Sequence, residues 1–260
     1  MRYGSAQRMP RFSDGRNKMP EYRILLTGAS SGIGMKTASL LAGRDWEVWG
    51  IGRDFSKTDR ALLENPHFHS ISCDLLVREE MNAALGLVRG MAAKEGGINV
   101  LINNAGAAWY GLHEEVSPER ISAMVRTNLE IPMILTGLFL RDFKRDGGTI
   151  INIASVTGEE YANPHGAAYG ATKAGLLSFG RSVFEEARKC GVRVTTVMPD
   201  MTDTGLYRNA DFECDPETLA HLQPETVAEA VLYVLDQPEG VVVPEIMLRP
   251  QLRRIRRKRQ

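Results

Sequence analysis

The chain alternates short, near-continuously apolar runs with longer stretches in which apolar residues recur at helical spacing. The short runs are residues 22–27 (YRILLT), 47–51 (EVWGI), 68–72 (FHSIS), 98–103 (INVLIN), 149–154 (TIINIA) and 192–198 (VRVTTVM). Runs of that kind suit strands covered on both faces. Each is separated from the next by enough chain for a helix, and this alternation implies right-handed crossovers and a parallel sheet. A last strand is expected within 241–248 (VVVPEIML), where Pro244 restricts it to an edge or a bulge. Long helices are expected over residues 118–143 and 167–189, and Pro224 and Gly240 bracket another. The pattern predicts an α/β fold: a single doubly wound domain with a parallel sheet of about seven strands and helices on both faces.

Length and charge narrow this picture. The 260 residues fit one domain with a substantial core. Residues 21–250 are read as that domain, 1–20 as a disordered leader and 251–260 as a basic C-terminal tail. The 32 basic residues balance 32 acidic ones, so no global field points to nucleic acid or a membrane surface. The basic run at 253–259 reads as a solvated tail. No uninterrupted apolar stretch reaches the roughly 18 residues of a membrane span. Cys73, Cys190 and Cys214 are scattered, which argues against a disulfide framework or a zinc site and for a reducing, cytoplasmic setting.

Candidate chemistry begins where the first strand ends, at Thr27-Gly28-Ala29-Ser30-Ser31-Gly32-Ile33-Gly34. Glycines there allow a sharp turn and let a pyrophosphate approach a helix N-terminus, whose free N–H groups favour anions. The second strand ends Gly52-Arg53-Asp54. An acid at that place would bond the ribose of NAD, whereas an arginine suits the 2′-phosphate of NADP. Gly52 stands where the acid is expected and Arg53 follows, so NADP is favoured. Asp54 keeps open a pairing with Arg53 or with a ribose.

Tyr169 and Lys173 lie four residues apart in a helical pattern, so their side chains emerge on one face. A free tyrosine titrates at about 10, and a nearby ammonium favours its phenolate. Alone, such a pair says little. It belongs to an ordered set: Gly28-x-x-x-Gly32-x-Gly34, Cys73-Asp74-Leu75, Asn103-Asn104-Ala105-Gly106, Thr127-Asn128-Leu129, Ser155, then Tyr169-x-x-x-Lys173. From residue 22 to 250 the chain resembles the short-chain dehydrogenase/reductase family in its ordinary length, which implies a Rossmann-type fold.

The resemblance implies that Tyr169 is the general acid or base and that Ser155 holds the substrate oxygen. It implies that Lys173 binds the nicotinamide ribose and lowers the pKa of Tyr169, while Asn128 holds a water linking Lys173 to solvent. Gly28, Ser30, Ser31, Gly32, Ile33, Gly34, Arg53, Asp74, Leu75, Asn104, Ala105, Gly106, Tyr169, Lys173, Pro199, Thr202 and Thr204 would line the cofactor. It also implies a homodimer or homotetramer packed through the two long helices. One departure stands out: Asp200 follows Pro199 where the family usually has glycine.

On the substrate side, Trp109, Tyr110, Glu159, Glu160, Tyr161 and residues 205–222 are expected to border the pocket, with His165 as a further candidate. The polar segment RNADFECDPETLAHL reads as a mobile lid. The reading is an NADP(H)-dependent oxidoreductase interconverting a carbonyl and an alcohol on a small or medium-sized substrate. An NAD(H)-dependent alcohol dehydrogenase and a dinucleotide-sensing protein without turnover are its alternatives.

Overall fold

The computed structural model describes residues 21–159 and 163–258. The leader expected at 1–20 lies outside the described residues. Strands β1 (Arg23–Thr27), β2 (Glu47–Gly52), β3 (Phe68–Ser72), β4 (Val100–Asn103), β5 (Gly148–Ile153) and β6 (Val192–Pro199) follow the six apolar runs. A short strand β7 (Phe212–Cys214) precedes β8 (Glu245–Leu248), and β9 (Ile255–Arg257) closes the chain. The main sheet has seven strands in the order β3-β2-β1-β4-β5-β6-β8, every pair parallel. This is the doubly wound Rossmann-type architecture expected, with the reversal of strand order between β1 and β4. β8 begins after Pro244 and occupies the edge, where a residue without N–H is tolerated.

Helices cover both faces because the strands are apolar on both. Ile24 and Leu26 of β1 and Val100 and Ile102 of β4 join one core layer, whereas Leu25 and Leu101 point into the other. Helices α1 (Gly32–Ala42) and α7 (Pro224–Leu235) close the first layer, with the short α2 (Arg60–Leu63) beside them. Helices α3 (Arg78–Ala92), α5 (Ile131–Asp146) and α6 (Ala167–Ala187) close the second.

The predicted helix over 118–143 has an interruption. Helix α4 (Pro118–Val125) runs through a π-turn at Arg126–Glu130 into α5. The whole span Pro118–Asp146 is long and apolar enough to cross a membrane by composition alone, yet Ile131, Leu135, Phe139 and Phe143 pack on the sheet. The C-terminal residues also depart from expectation: β9 pairs antiparallel with β7, so the backbone of the basic run is engaged rather than free.

Candidate active site

The loops at the carboxyl ends of β1, β2, β4, β5 and β6 enclose one cleft at the strand-order reversal, the usual ligand position in this architecture. Its floor is the glycine turn. Gly28 has φ +70°, and a Cβ at Gly34 would lie 2.1 Å from the Gly28 carbonyl oxygen. Only glycines allow the strand to fold onto the helix this tightly. Ser31 is the N-cap of α1 but its side chain makes no capping bond, so the helix N-terminus presents uncapped N–H groups to the cleft. Asn104 holds the turn rather than leaving its amide to a ligand: Nδ2 donates to the carbonyls of Thr27 (2.8 Å) and Gly28 (3.2 Å). Thr27 Oγ1 accepts from the backbone N–H groups of Asn104 and Ala105.

At the end of β2 Asp54 turns to Ser56 rather than to Arg53. Its carboxylate accepts from Ser56 N (2.8 Å) and Ser56 Oγ (2.9 Å), and these bonds hold its pKa below the usual range. Among the described residues Arg53 is exposed on the cleft rim with no ion-pair partner. A Cβ at Gly52 would lie 2.8 Å from Ser30 Cβ, so any side chain there would have to push the glycine turn aside. Asp74 and Leu75 line the same end. Asp74 Oδ1 accepts from Leu76 N, and Glu80 reaches back from α3 to Asp74 N.

At the other end β5 delivers Ser155 and α6 delivers Tyr169 and Lys173 to one wall. All three are buried, at 7%, 4% and 4% exposure. Burial pushes the Tyr169 phenol up to about 12, partly offset by a hydrogen bond with Ser155. Burial also brings the Lys173 ammonium down to about 8. Lys173 Nζ donates to the Ile153 carbonyl (2.8 Å) and sits 5.8 Å from the centre of the Tyr169 ring. Loss of solvent around the phenol thus sets the direction of its shift, above the ordinary tyrosine value.

Asn128 is fully buried on the π-turn. Its Oδ1 accepts from Ala107 N (2.8 Å), while Nδ2 donates to Ala107 O (2.8 Å) and Thr172 Oγ1 (3.0 Å). Both amide hydrogens are thereby used, and the side chain clips the loop after β4 to the helices. Pro199 at the end of β6, and Asp200, Thr202 and Thr204 beyond it, line the cleft. Asp200 points inward: Oδ1 accepts from Met201 N (2.8 Å), and Oδ2 has no hydrogen-bond donor among the described residues but lies 3.4 Å from Arg253 Nε.

Comparison with known proteins agrees with this geometry. The family model for short chain dehydrogenases matches residues 22–214. An uncharacterized oxidoreductase of Staphylococcus saprophyticus is 33% identical over 232 residues, covering 87% of this chain and 96% of its own. The alcohol dehydrogenase of the archaeon Thermococcus sibiricus, solved with 5-hydroxy-NADP, superposes with a TM-score of 0.78 at 27% identity, covering 90% of this chain and 98% of its own. A short-chain dehydrogenase of Sphingobium yanoikuyae, solved with NADPH, gives 0.73 at 28% identity, covering 87% of both chains. The chain belongs to the short-chain dehydrogenase/reductase family.

In this short-chain dehydrogenase some expected pocket residues lie elsewhere. Glu159 is drawn away by Arg181, which holds it at 2.9 Å and also pairs with Glu245 on β8. It is not part of the cleft lining, because the ion pair turns it toward the outer face of α6. Glu160 and Tyr161 lie outside the described residues. His165 takes a left-handed backbone (φ 65°), and its carbonyl accepts from Gly111 N, a turn role. Trp109 lines the cleft, whereas Tyr110 stands behind it, 5.8 Å from the Tyr169 ring.

Of residues 205–222, only Gly205, Leu206, Tyr207 and Arg208 reach the cleft. The rest carries β7 and a 3-10 turn at Thr218–Ala220. Thr27 was overlooked by motif reading. The signal available was a hydroxyl ending β1 opposite the Asn-Asn-Ala-Gly end of β4, which only strand pairing makes meaningful.

Proposed function

We propose that the protein is an NADP(H)-dependent oxidoreductase interconverting a carbonyl and an alcohol on a small or medium-sized substrate. The observation that carries this reading is the shared buried wall of Ser155, Tyr169 and Lys173, facing a cleft whose other end is an uncapped helix N-terminus. The donor set fits a dinucleotide. Backbone N–H groups of the Ser31–Gly34 turn would receive the pyrophosphate, and Asp74 and Leu75 would border the adenine. Arg53, without an ion-pair partner among the described residues while Asp54 is held by Ser56, would meet a 2′-phosphate with a charge-assisted pair of bonds. The NADP-type ligands of the Thermococcus and Sphingobium structures support the same choice. When bound, the nicotinamide donates or accepts the hydride.

The chain's own residues supply the proton and the geometry. With its pKa at about 12, Tyr169 is protonated at neutral pH and gives its proton to a carbonyl oxygen as the carbon is reduced. In the reverse direction the phenolate takes the proton from the alcohol. Ser155 donates to the same oxygen and fixes its position. One donor of Lys173 is used on Ile153, leaving two for the ribose hydroxyls. Asn128 acts as a positioning residue for the Ala107 backbone, and a water relay to Lys173 has only its remaining Oδ1 lone pair to use. Trp109, Leu206 and Tyr207 make the substrate side largely apolar.

The test is NADPH consumption across ketones, aldehydes, diketones and keto acids, with Tyr169→Phe as the blank. Loss of the proton donor is expected to lower turnover by about 10²–10⁴-fold. Equal turnover by Tyr169→Phe would sink the assignment. Arg53→Ala is expected to weaken NADPH by about tenfold or more while sparing NADH. An equal loss for both cofactors, or tighter NADH binding by the parent, would transfer the reading to NAD(H).

A further inference from the structure

The C-terminal run that reads as a solvated tail makes a continuous set of contacts with residues 207–220, a stretch that begins with the cleft-lining Tyr207 and Arg208. Leu252 N donates to Leu219 O (2.9 Å), Arg254 N to Ala220 O (3.3 Å) and Lys258 N to Asp211 O (2.8 Å). Between them β9 pairs with β7 in the register Phe212↔Arg257, Glu213↔Arg256, Cys214↔Ile255. Among the described residues, each basic side chain of the run that has a partner finds it within residues 207–217 or at Asp200. Arg256 Nε donates to Glu213 (2.9 Å), Arg254 to Glu217 (2.8 Å), and Arg253 faces Asp200. Lys258 Nζ donates to the Tyr207 carbonyl (2.8 Å) and the Arg208 carbonyl (3.2 Å), the two residues at the mouth of the cleft.

What the run holds in place is aromatic. The Phe212 ring lies 5.0 Å from Tyr110 and 5.6 Å from Tyr207, and Tyr110 in turn lies 5.8 Å from the Tyr169 ring. A strand as short as β7 has no other strand partner among the described residues. An isolated two-stranded ribbon is marginal, so the position of Phe212 depends on β9 remaining paired. Exposed ion pairs contribute little one by one. Their value here is register: the Arg256–Glu213 pair lies on the ribbon itself and opposes a slip that would turn Phe212 away from the tyrosines, while Arg254–Glu217 and Arg253–Asp200 anchor the residues just before β9.

We infer that residues 253–258 are a clasp that sets the substrate wall of this site, through β7 and Phe212 to Tyr110 and Tyr207, and so selects among carbonyl substrates with apolar or aromatic substituents. Arg253 also supplies the counter-charge for Asp200, the departure from the family pattern beneath the same wall. The inference rests on Ser155 and Tyr169 being the reaction centre. It makes the C-terminal run a positioning element, not a catalytic one.

The experiment compares the full chain with a variant ending at Leu252. Amide hydrogen exchange over residues 205–220 is expected to rise by about tenfold or more, with β1 and β4–β6 unchanged. NADPH affinity should stay within about twofold, while KM for a bulky aromatic ketone rises by about fivefold and kcat changes less. Should the truncated chain fail to fold, Glu213→Arg alone should speed exchange in 205–220, and adding Arg256→Glu should restore it. Unchanged exchange and unchanged KM on truncation, or no rescue by the double reversal, would overturn the clasp. A full chain that binds NADPH but reduces no carbonyl, yet shows the exchange change, would remove the reaction centre and retain the clasp as a wall-positioning device.

Discussion

Lys173 is the residue at which the proposed function and stability oppose each other. Its side chain is buried with one carbonyl partner, and its pKa falls from 10.5 to about 8 because burial disfavours the ammonium. At pH 7 both folded and unfolded chains carry that proton, so the folded state bears the full desolvation penalty. Between pH 8 and 10.5 the unfolded chain keeps a proton that the folded one has released, and stability from this group rises with pH. Lys173→Met is therefore expected to be inactive yet more stable at pH 7, by roughly 1–3 kcal/mol from the size of the shift. The gain should shrink at pH 9, as thermal denaturation at the two pH values would reveal. A variant less stable than the parent at pH 7 would mean that Lys173 is better compensated than its one bond implies. Tyr169 titrates in the opposite sense: its contribution is whole below pH 10 and lost toward pH 12.

The element that decides the site is the π-turn between α4 and α5. A single continuous α-helix would turn residue 128 to another direction, and the extra residue per turn brings its amide against Ala107. That clip ties the helices to the loop after β4, where Gly106 lies close to both Asn128 and Lys173. Asn128→Ala leaves an N–H, a carbonyl and the Thr172 hydroxyl short of a partner, at a cost of about 1–3 kcal/mol in urea or guanidinium unfolding. The same variant should lose activity by more than that instability accounts for, since Ala107 is released beside the reaction wall. Activity retained in proportion to folded protein would reduce Asn128 to a purely structural residue.

At the scale of the molecule, the Pro118–Asp146 span leaves Val125, Met133 and Leu138 about 40% exposed after the sheet has taken the other face. A second copy packing helix on helix is the arrangement proposed to cover them. Sedimentation velocity is expected to give a dimer or tetramer, and Met133→Glu with Leu138→Glu a smaller species. A parent chain that sediments as a monomer at micromolar concentration removes this proposal.

Local order in the sequence was enough for the strand sequence, the glycine turn, the one-face spacing of Tyr169 and Lys173, and the placing of Arg53 beside Gly52. These follow from short-range physics: side-chain period, the φ freedom of glycine and the helical repeat. The fate of charged side chains was decided elsewhere. Asp54 turning to Ser56, Glu159 turning to Arg181 and Asp200 meeting Arg253 each depend on which partner folding brings within reach. The basic C-terminal run shows the difference most clearly. Its sequence specified only charge, whereas the strand it forms exists because residues 43 positions earlier supply backbone and carboxylates in register.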